Sequence, residues 1–252
     1  MSSTAWVVFS TAGEDIARLR AGGTVGCLMF IGHYAPALLL KTSAPKLPLW
    51  SLFVAVEVLD YLWSAFVLLG IEHMRITPGF TQSNAFDLYD MPYTHSLVAT
   101  IGWSLLAFGV TVLWQRRQPG RLWSGFVIAL AVASHFLLDL PVHVRDLPLA
   151  GPGSHKLGFG LWSNRAGALL LETSLFVGSA IALSFSTKWK PRRSWWVLAA
   201  VMTAICVVNY FLPGPKTPTE LALSGLAFYV LFPILAWRVE FTSGAASSPS
   251  PG

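Results

Sequence analysis

Apolar residues run in stretches of about twenty along this chain, the length an α-helix needs to cross the hydrocarbon of a bilayer, with short polar punctuation between them. The stretches fall at 22–41, 49–71, 94–115, 122–143, 166–186, 194–212 and 221–238. Lys41 to Pro48, Gln115 to Arg121, Lys188 to Arg193 and Pro213 to Pro218 are short basic or Pro-rich connectors, as breaks between helices should be. Two connectors are longer, 72–93 and 144–165. The pattern predicts an all-α protein, a polytopic transmembrane helical bundle of about seven helices, without an internal repeat of fixed period. Residues 1–21 read as an N-terminal interfacial segment, 22–238 as the transmembrane helical domain, and 239–252 as a disordered tail of Ser, Gly, Ala and Pro.

Composition agrees with a membrane origin for the pattern. The 252 residues are 54% hydrophobic and 12% charged, with a mean hydropathy of +0.58, well outside the range of a soluble domain. A net charge of +5 would suggest nucleic acid in a soluble protein. Here the cations sit in short connectors, where they orient the chain in the bilayer, so a membrane lipid is the expected partner and nucleic acid is not. Of the 17 Lys and Arg, ten (Lys41, Lys46, Arg116, Arg117, Arg121, Lys188, Lys190, Arg192, Arg193 and Arg238) fall on one side and seven on the other. The richer side is expected to be cytoplasmic, and Trp50, Trp114, Trp123, Trp189, Trp195, Trp196 and Trp237 belong to that interface as an aromatic belt. Cys27 and Cys206 lie in apolar runs without CxxC spacing and read as small buried residues. The N-terminus lacks the pattern of a cleaved signal peptide.

Within this apolar frame the ionisable residues are unevenly placed. His33 falls in the first stretch, Glu57 and Asp60 in the second, His95 at the start of the third, and His135, Asp139 and His143 in the fourth, while the last three stretches hold almost none. An ionisable group in hydrocarbon costs roughly 2.5 kcal/mol or more and persists when paired, ligated or facing a wet cavity. His135, Asp139 and His143 are four apart, so a helix carries them on one face. Mixed imidazole and carboxylate donors suit Zn, Mn or Fe better than Ca or Mg, and zinc is the expected divalent metal. Asp60, His95, His135 and Asp139 can fill one coordination sphere; His33 can begin a second, and His143 can serve a further metal or the substrate. Each residue alone also fits a structural role: His33 as a packed polar residue, Asp60 with Glu57 as a polar pair or proton relay, and Thr94 or Ser96 as a helix cap. Glu72, His73 and Asp87 to Asp90 read as solvated loop residues, His155, Asn164 and Glu172 as weaker candidates still, and Pro141 as the end or bend of the fourth helix.

Gly32-His33, Asp60, Tyr93-Thr94-His95-Ser96 and Ser134-His135-x-x-x-Asp139 together resemble the bacterial YdjM-like membrane proteins, known as membrane-bound metal-dependent hydrolases. The resemblance covers about residues 30–145. The order Asp, His, His-x-x-x-Asp is also similar to that of zinc-dependent phospholipase C and the P1-type nucleases, helical phosphoesterases. These resemblances imply metal ligation by Asp60, His95, His135 and Asp139 around one ion and by His33 at another, with Asp60 and Asp139 catalytic. The phospholipases carry a later His-x-x-x-Glu, whereas here Phe159 stands at that offset from His155. The expected function is hydrolysis of a phosphoester, that of a lipid above all, at the exterior face of a bacterial plasma membrane. The alternative is a non-catalytic membrane regulator, or a proton or metal transporter, using the same cluster. A ceramidase-like design would need a His-x-x-x-His near the C-terminus, and this chain has no His after His155.

Overall fold

The computed structural model describes residues 31–186 and 193–244, so the expected interfacial segment 1–21 and residues 245–252 of the expected tail lie outside the described residues. A 3-10 turn, Ile31–His33, leads into α1 (Tyr34–Ser43). Then come α2 (Leu49–Val56), α3 (Val58–Leu68), the hairpin β1 (His73–Ile76) and β2 (Phe86–Asp90), α4 (Leu97–Trp114) and α5 (Arg121–Val142). A two-residue pair, β3 (Leu147–Pro148) with β4 (Lys156–Leu157), and a 3-10 turn at Leu161–Ser163 precede α6 (Arg165–Ser184), α7 (Arg193–Asn209) and α8 (Pro218–Gly244). The architecture is an all-α bundle, and its long apolar helices make this a membrane protein. α4, α5, α6 and residues 218–241 of α8 are each long and apolar enough to span a bilayer; α2 with α3 makes a fifth span if the bent pair is counted as one.

Of the first expected span, 22–41, the residues from Ile31 are helical, and residues 22–30, Cys27 among them, lie outside the described residues. Residues 49–71 break at Glu57, where the axis bends by 51°. Glu57 leaves the helical region (φ −105°, ψ 6°), and its N–H closes a short bond to Val54 O at 3.2 Å. No Pro or Gly marks this break, which is why the apolar pattern runs through it. The helix of α8 also continues past the expected boundary at 238, through to Gly244.

α5 lies at the centre of the bundle, half of its span buried, and α4 at its edge, with 11% of its residues buried. α4 packs chiefly on α5. Gly125 makes the approach possible, because a Cβ there would sit 2.8 Å from Val112 Cγ2 and 3.0 Å from Phe108 Cδ2. α1 lies against α2 and α6, while α8 closes the bundle over α2 and α3.

Charge counting places Lys41 in a solvated connector and Trp195 in an interfacial belt, yet both are fully buried. Lys41 Nζ donates to Pro45 O, to Leu47 O and to Glu240 Oε1, and Leu49 N donates to Glu240 Oε2 at 2.7 Å. This clamp ties the α1–α2 corner to the end of α8. Glu240→Ala would strand the ammonium and the Leu49 N–H, at an expected cost of about 3 kcal/mol, read as a lower unfolding temperature in detergent. The pair Lys41→Met with Glu240→Leu should recover most of that loss.

Candidate metal centre

The six expected ligands come together at one end of the bundle. His33 ends the first 3-10 turn, Asp60 lies in the first turn of α3, and His95 precedes the cap of α4, where Ser96 Oγ accepts from Ala99 N. His135 and Asp139 share the inward face of α5, and His143 is its C-terminal cap residue. Asp139 Oδ1 lies 3.1 Å from His33 Nε2 and 3.4 Å from His143 Nε2; its Oδ2 lies 3.5 Å from His135 Nε2 and 3.9 Å from His95 Nε2. Asp60 Oδ1 lies 3.2 Å from His95 Nε2 and 3.5 Å from His135 Nε2. The rings of His33 and His135 stack at 4.2 Å.

Hydrogen bonds on the far side of three of the rings decide what faces inward. His135 Nδ1 donates to Val56 O at 2.7 Å, His143 Nδ1 to Asp146 Oδ1 at 2.8 Å, and His95 Nδ1 to Thr94 Oγ1 at 2.9 Å. A carbonyl or carboxylate oxygen only accepts, and the Thr94 hydroxyl donates its own proton to Glu72 Oε2 at 2.6 Å. Nδ1 therefore holds a proton in each of the three rings, and Nε2 is the atom turned towards the carboxylates, as a lone pair when the ring is neutral. A neutral ring whose Nε2 faces a carboxylate oxygen at 3.2–3.9 Å is repelled unless a cation lies between them, either a metal ion or a proton carried on Nε2. With ligand bonds of 2.0–2.1 Å, the edge of a tetrahedral shell is about 3.3 Å, close to the separations here. Asp139 Oδ2, buried and without a hydrogen-bond partner among the described residues, is the kind of acceptor that a cation would satisfy. Two overlapping sets, His33 with His135 and Asp139, and Asp60 with His95 and His135, each have donor atoms within 4.8 Å of one another. The cluster can hold a metal ion.

The break at Glu57 now has a local meaning, because the carbonyl that orients His135 is the last of α2. Glu57 is itself buried, and its Oε1 has no hydrogen-bond partner among the described residues.

Three contributors escaped the reading of the sequence. Tyr229 of α8 donates to Asp60 Oδ2 at 2.8 Å and leaves Oδ1 to the imidazoles; its own carbonyl accepts from Tyr61 OH. Asp146 supports His143. Glu72, expected to be solvated, is buried and accepts from Tyr93 N at 2.7 Å, Thr94 N at 2.9 Å and Thr94 Oγ1 at 2.6 Å. Burial raises the Glu72 carboxyl above its ordinary range, against the opposing pull of the Thr94 hydroxyl. The neighbouring His73, Arg75, Asp87 and Asp90 do form cross-strand pairs on the hairpin, away from the cluster. The His95–Thr94–Glu72 chain holds the His95 ring in its orientation towards the cluster. Thr94→Val should therefore weaken metal affinity by about ten- to a hundredfold, measured by competition with a chromophoric chelator.

A cavity of about 40 Å³ opens above the cluster, room for one to a few waters. Asp60, His95, Asp139 and His143 form its polar floor; Trp63, Phe86, Leu88, Trp162, Leu221 and Tyr229 are among its walls. The weaker candidates stay apart: His155 is exposed, Asn164 Oδ1 caps α6 by accepting from Gly167 N, and Glu172 is buried against Tyr210 OH at 2.6 Å. Comparison with protein-family models, curated proteins and solved structures gives no match.

Proposed function

We propose that this chain is a membrane-embedded, metal-dependent hydrolase, with zinc as the metal and a phosphoester of a membrane lipid as the substrate. The observation that carries this reading is the inward turn of the imidazole Nε2 atoms towards two carboxylates at the spacing of coordination edges, beneath a cavity with apolar walls. A bound zinc ion would supply Lewis acidity to a phosphoryl oxygen and acidify water. The chain's own part is positional. Asp139 offers one oxygen to each half of the cluster, and Asp60, steadied by Tyr229, borders the cavity where its carboxylate can orient a water and accept its proton. Trp63, Phe86, Leu88 and Trp162 exclude bulk water from the space above the cluster.

In this reading the protein resides in a bacterial plasma membrane with the cluster towards the exterior, as the Lys and Arg balance and the YdjM-like resemblance imply. The test is metal content of the purified protein together with release of a phosphorylated headgroup or diacylglycerol from mixed phospholipid vesicles. Cysteine labelling of the 116–121 connector from the cytoplasmic side tests the orientation. Stoichiometric metal without hydrolysis of any lipid phosphoester would end the enzyme reading. The span broken at Glu57 beside the cluster favours transport as a second reading, since transporters often bind ions at interrupted helices; ion flux in proteoliposomes would then replace hydrolysis.

A further inference from the structure

At the opposite end of α4 from the metal cluster, an apolar groove of about 400 Å³ separates α2 from α4. Pro48, Trp50, Val54, Ala107, Val110 and Trp114 are among its walls. It runs from Pro48 along α2 to Val58 at the start of α3, about 15 Å at helical rise, half the thickness of a hydrocarbon core and so the depth of one leaflet. At Trp114 it meets a second concavity of about 390 Å³, lined also by Arg116, Arg117 and Gln118. Arg121 joins this mouth by donating to Arg116 O at 2.8 Å, and Lys46 is exposed on the loop beside Leu47 and Pro48. Among the described residues no carboxylate lies within ion-pair distance of Arg116, Arg117 or Arg121.

We propose that this groove binds one anionic phospholipid, an acyl chain between α2 and α4 and the phosphate against Arg116 and Arg117. A bias of cations towards one membrane face accounts for their number at this end, but it does not require a leaflet-deep groove to open onto three arginines without carboxylate partners. A second copy of the chain is the poorer occupant, because a twofold contact through α4 would bring the two sets of cations together. A phosphate with an acyl chain satisfies both halves of the site, and each cation near an anionic headgroup adds to its retention. The inference does not rest on the hydrolase reading, since the length of α4 sets the arginines that would hold the phosphate about 25 Å from His95.

The experiment titrates the full chain in mild detergent with phosphatidylglycerol and with phosphatidylcholine of the same acyl chains, and counts bound lipid by native mass spectrometry. Wild type should retain phosphatidylglycerol about thirtyfold more tightly, two cations' worth of headgroup attraction. Arg116→Gln with Arg117→Gln, both exposed and so harmless to folding, should bring phosphatidylglycerol down to the level of phosphatidylcholine. Ala107→Trp, or Val110→Trp if the first does not insert, should weaken both lipids by filling the groove. Equal retention of the two lipids by wild type, a preference that survives neutralisation of both arginines, or unchanged binding in the groove-filled variant would overturn the proposal. A disulfide between two copies carrying Val54→Cys, with lipid excluded, would overturn it in favour of a dimer.

Discussion

Asp139→Asn should abolish most hydrolysis of a lipid phosphoester, a loss of about a thousandfold or roughly 4 kcal/mol of transition-state stabilisation, while the protein still inserts. Asp139 is the one residue whose two oxygens face different imidazoles, Oδ1 towards His33 and His143, and Oδ2 towards His95 and His135. An amide keeps the shape but offers a single, weaker donor and no negative charge, so it cannot serve both halves of the cluster. Metal content measured on the same sample should fall together with the rate. If metal is lost and the unfolding temperature in detergent drops sharply, while wild type hydrolyses no lipid, the ion belongs to the fold rather than to catalysis. Retained metal with retained hydrolysis would remove Asp139 from the centre altogether.

The parts of this centre that were legible before the fold was known share a physical cause. His135 and Asp139 are visible because a four-residue step and a hydrocarbon surrounding are both read directly from the chain, and an unpaired ionisable group has few reasons to be there. Ser96 is visible as a cap for a similar local reason. Tyr229 is not, because a tyrosine inside an apolar run looks the same whether it packs, faces lipid or donates to a carboxylate 169 positions away. Residue type misplaces Glu72 and Lys41: charge implies exposure, whereas each is enclosed by groups that only the folded chain assembles. The break at Glu57 has no Pro or Gly to announce it, and its use, the Val56 carbonyl for His135, joins residues 79 positions apart.

The same distinction between local and assembled signals makes Gly158 the most sensitive position outside the cluster. It sits at φ +141°, where side chains are rarely tolerated, and a Cβ there would fall 1.7 Å from Val144 O and 2.6 Å from His143 O. The residues after it hold the end of α5: Phe159 N donates to Leu140 O at 2.9 Å and Gly160 N to His143 O at 2.7 Å, filling carbonyls that a helix end leaves open. Gly158→Ala cannot be absorbed by a side-chain rotation, since the obstacle is backbone. The cap must move away, and with it His143 and the ring of Trp162, 4.1 Å from the imidazole. The expected result is a loss of about 3 kcal/mol or more in stability, with weaker metal retention than in Gly160→Ala, where φ is also positive but a Cβ meets nothing within 4 Å. Equal behaviour of the two variants in thermal unfolding and metal competition would mean that the Gly158 to Gly160 segment does not hold His143 in place.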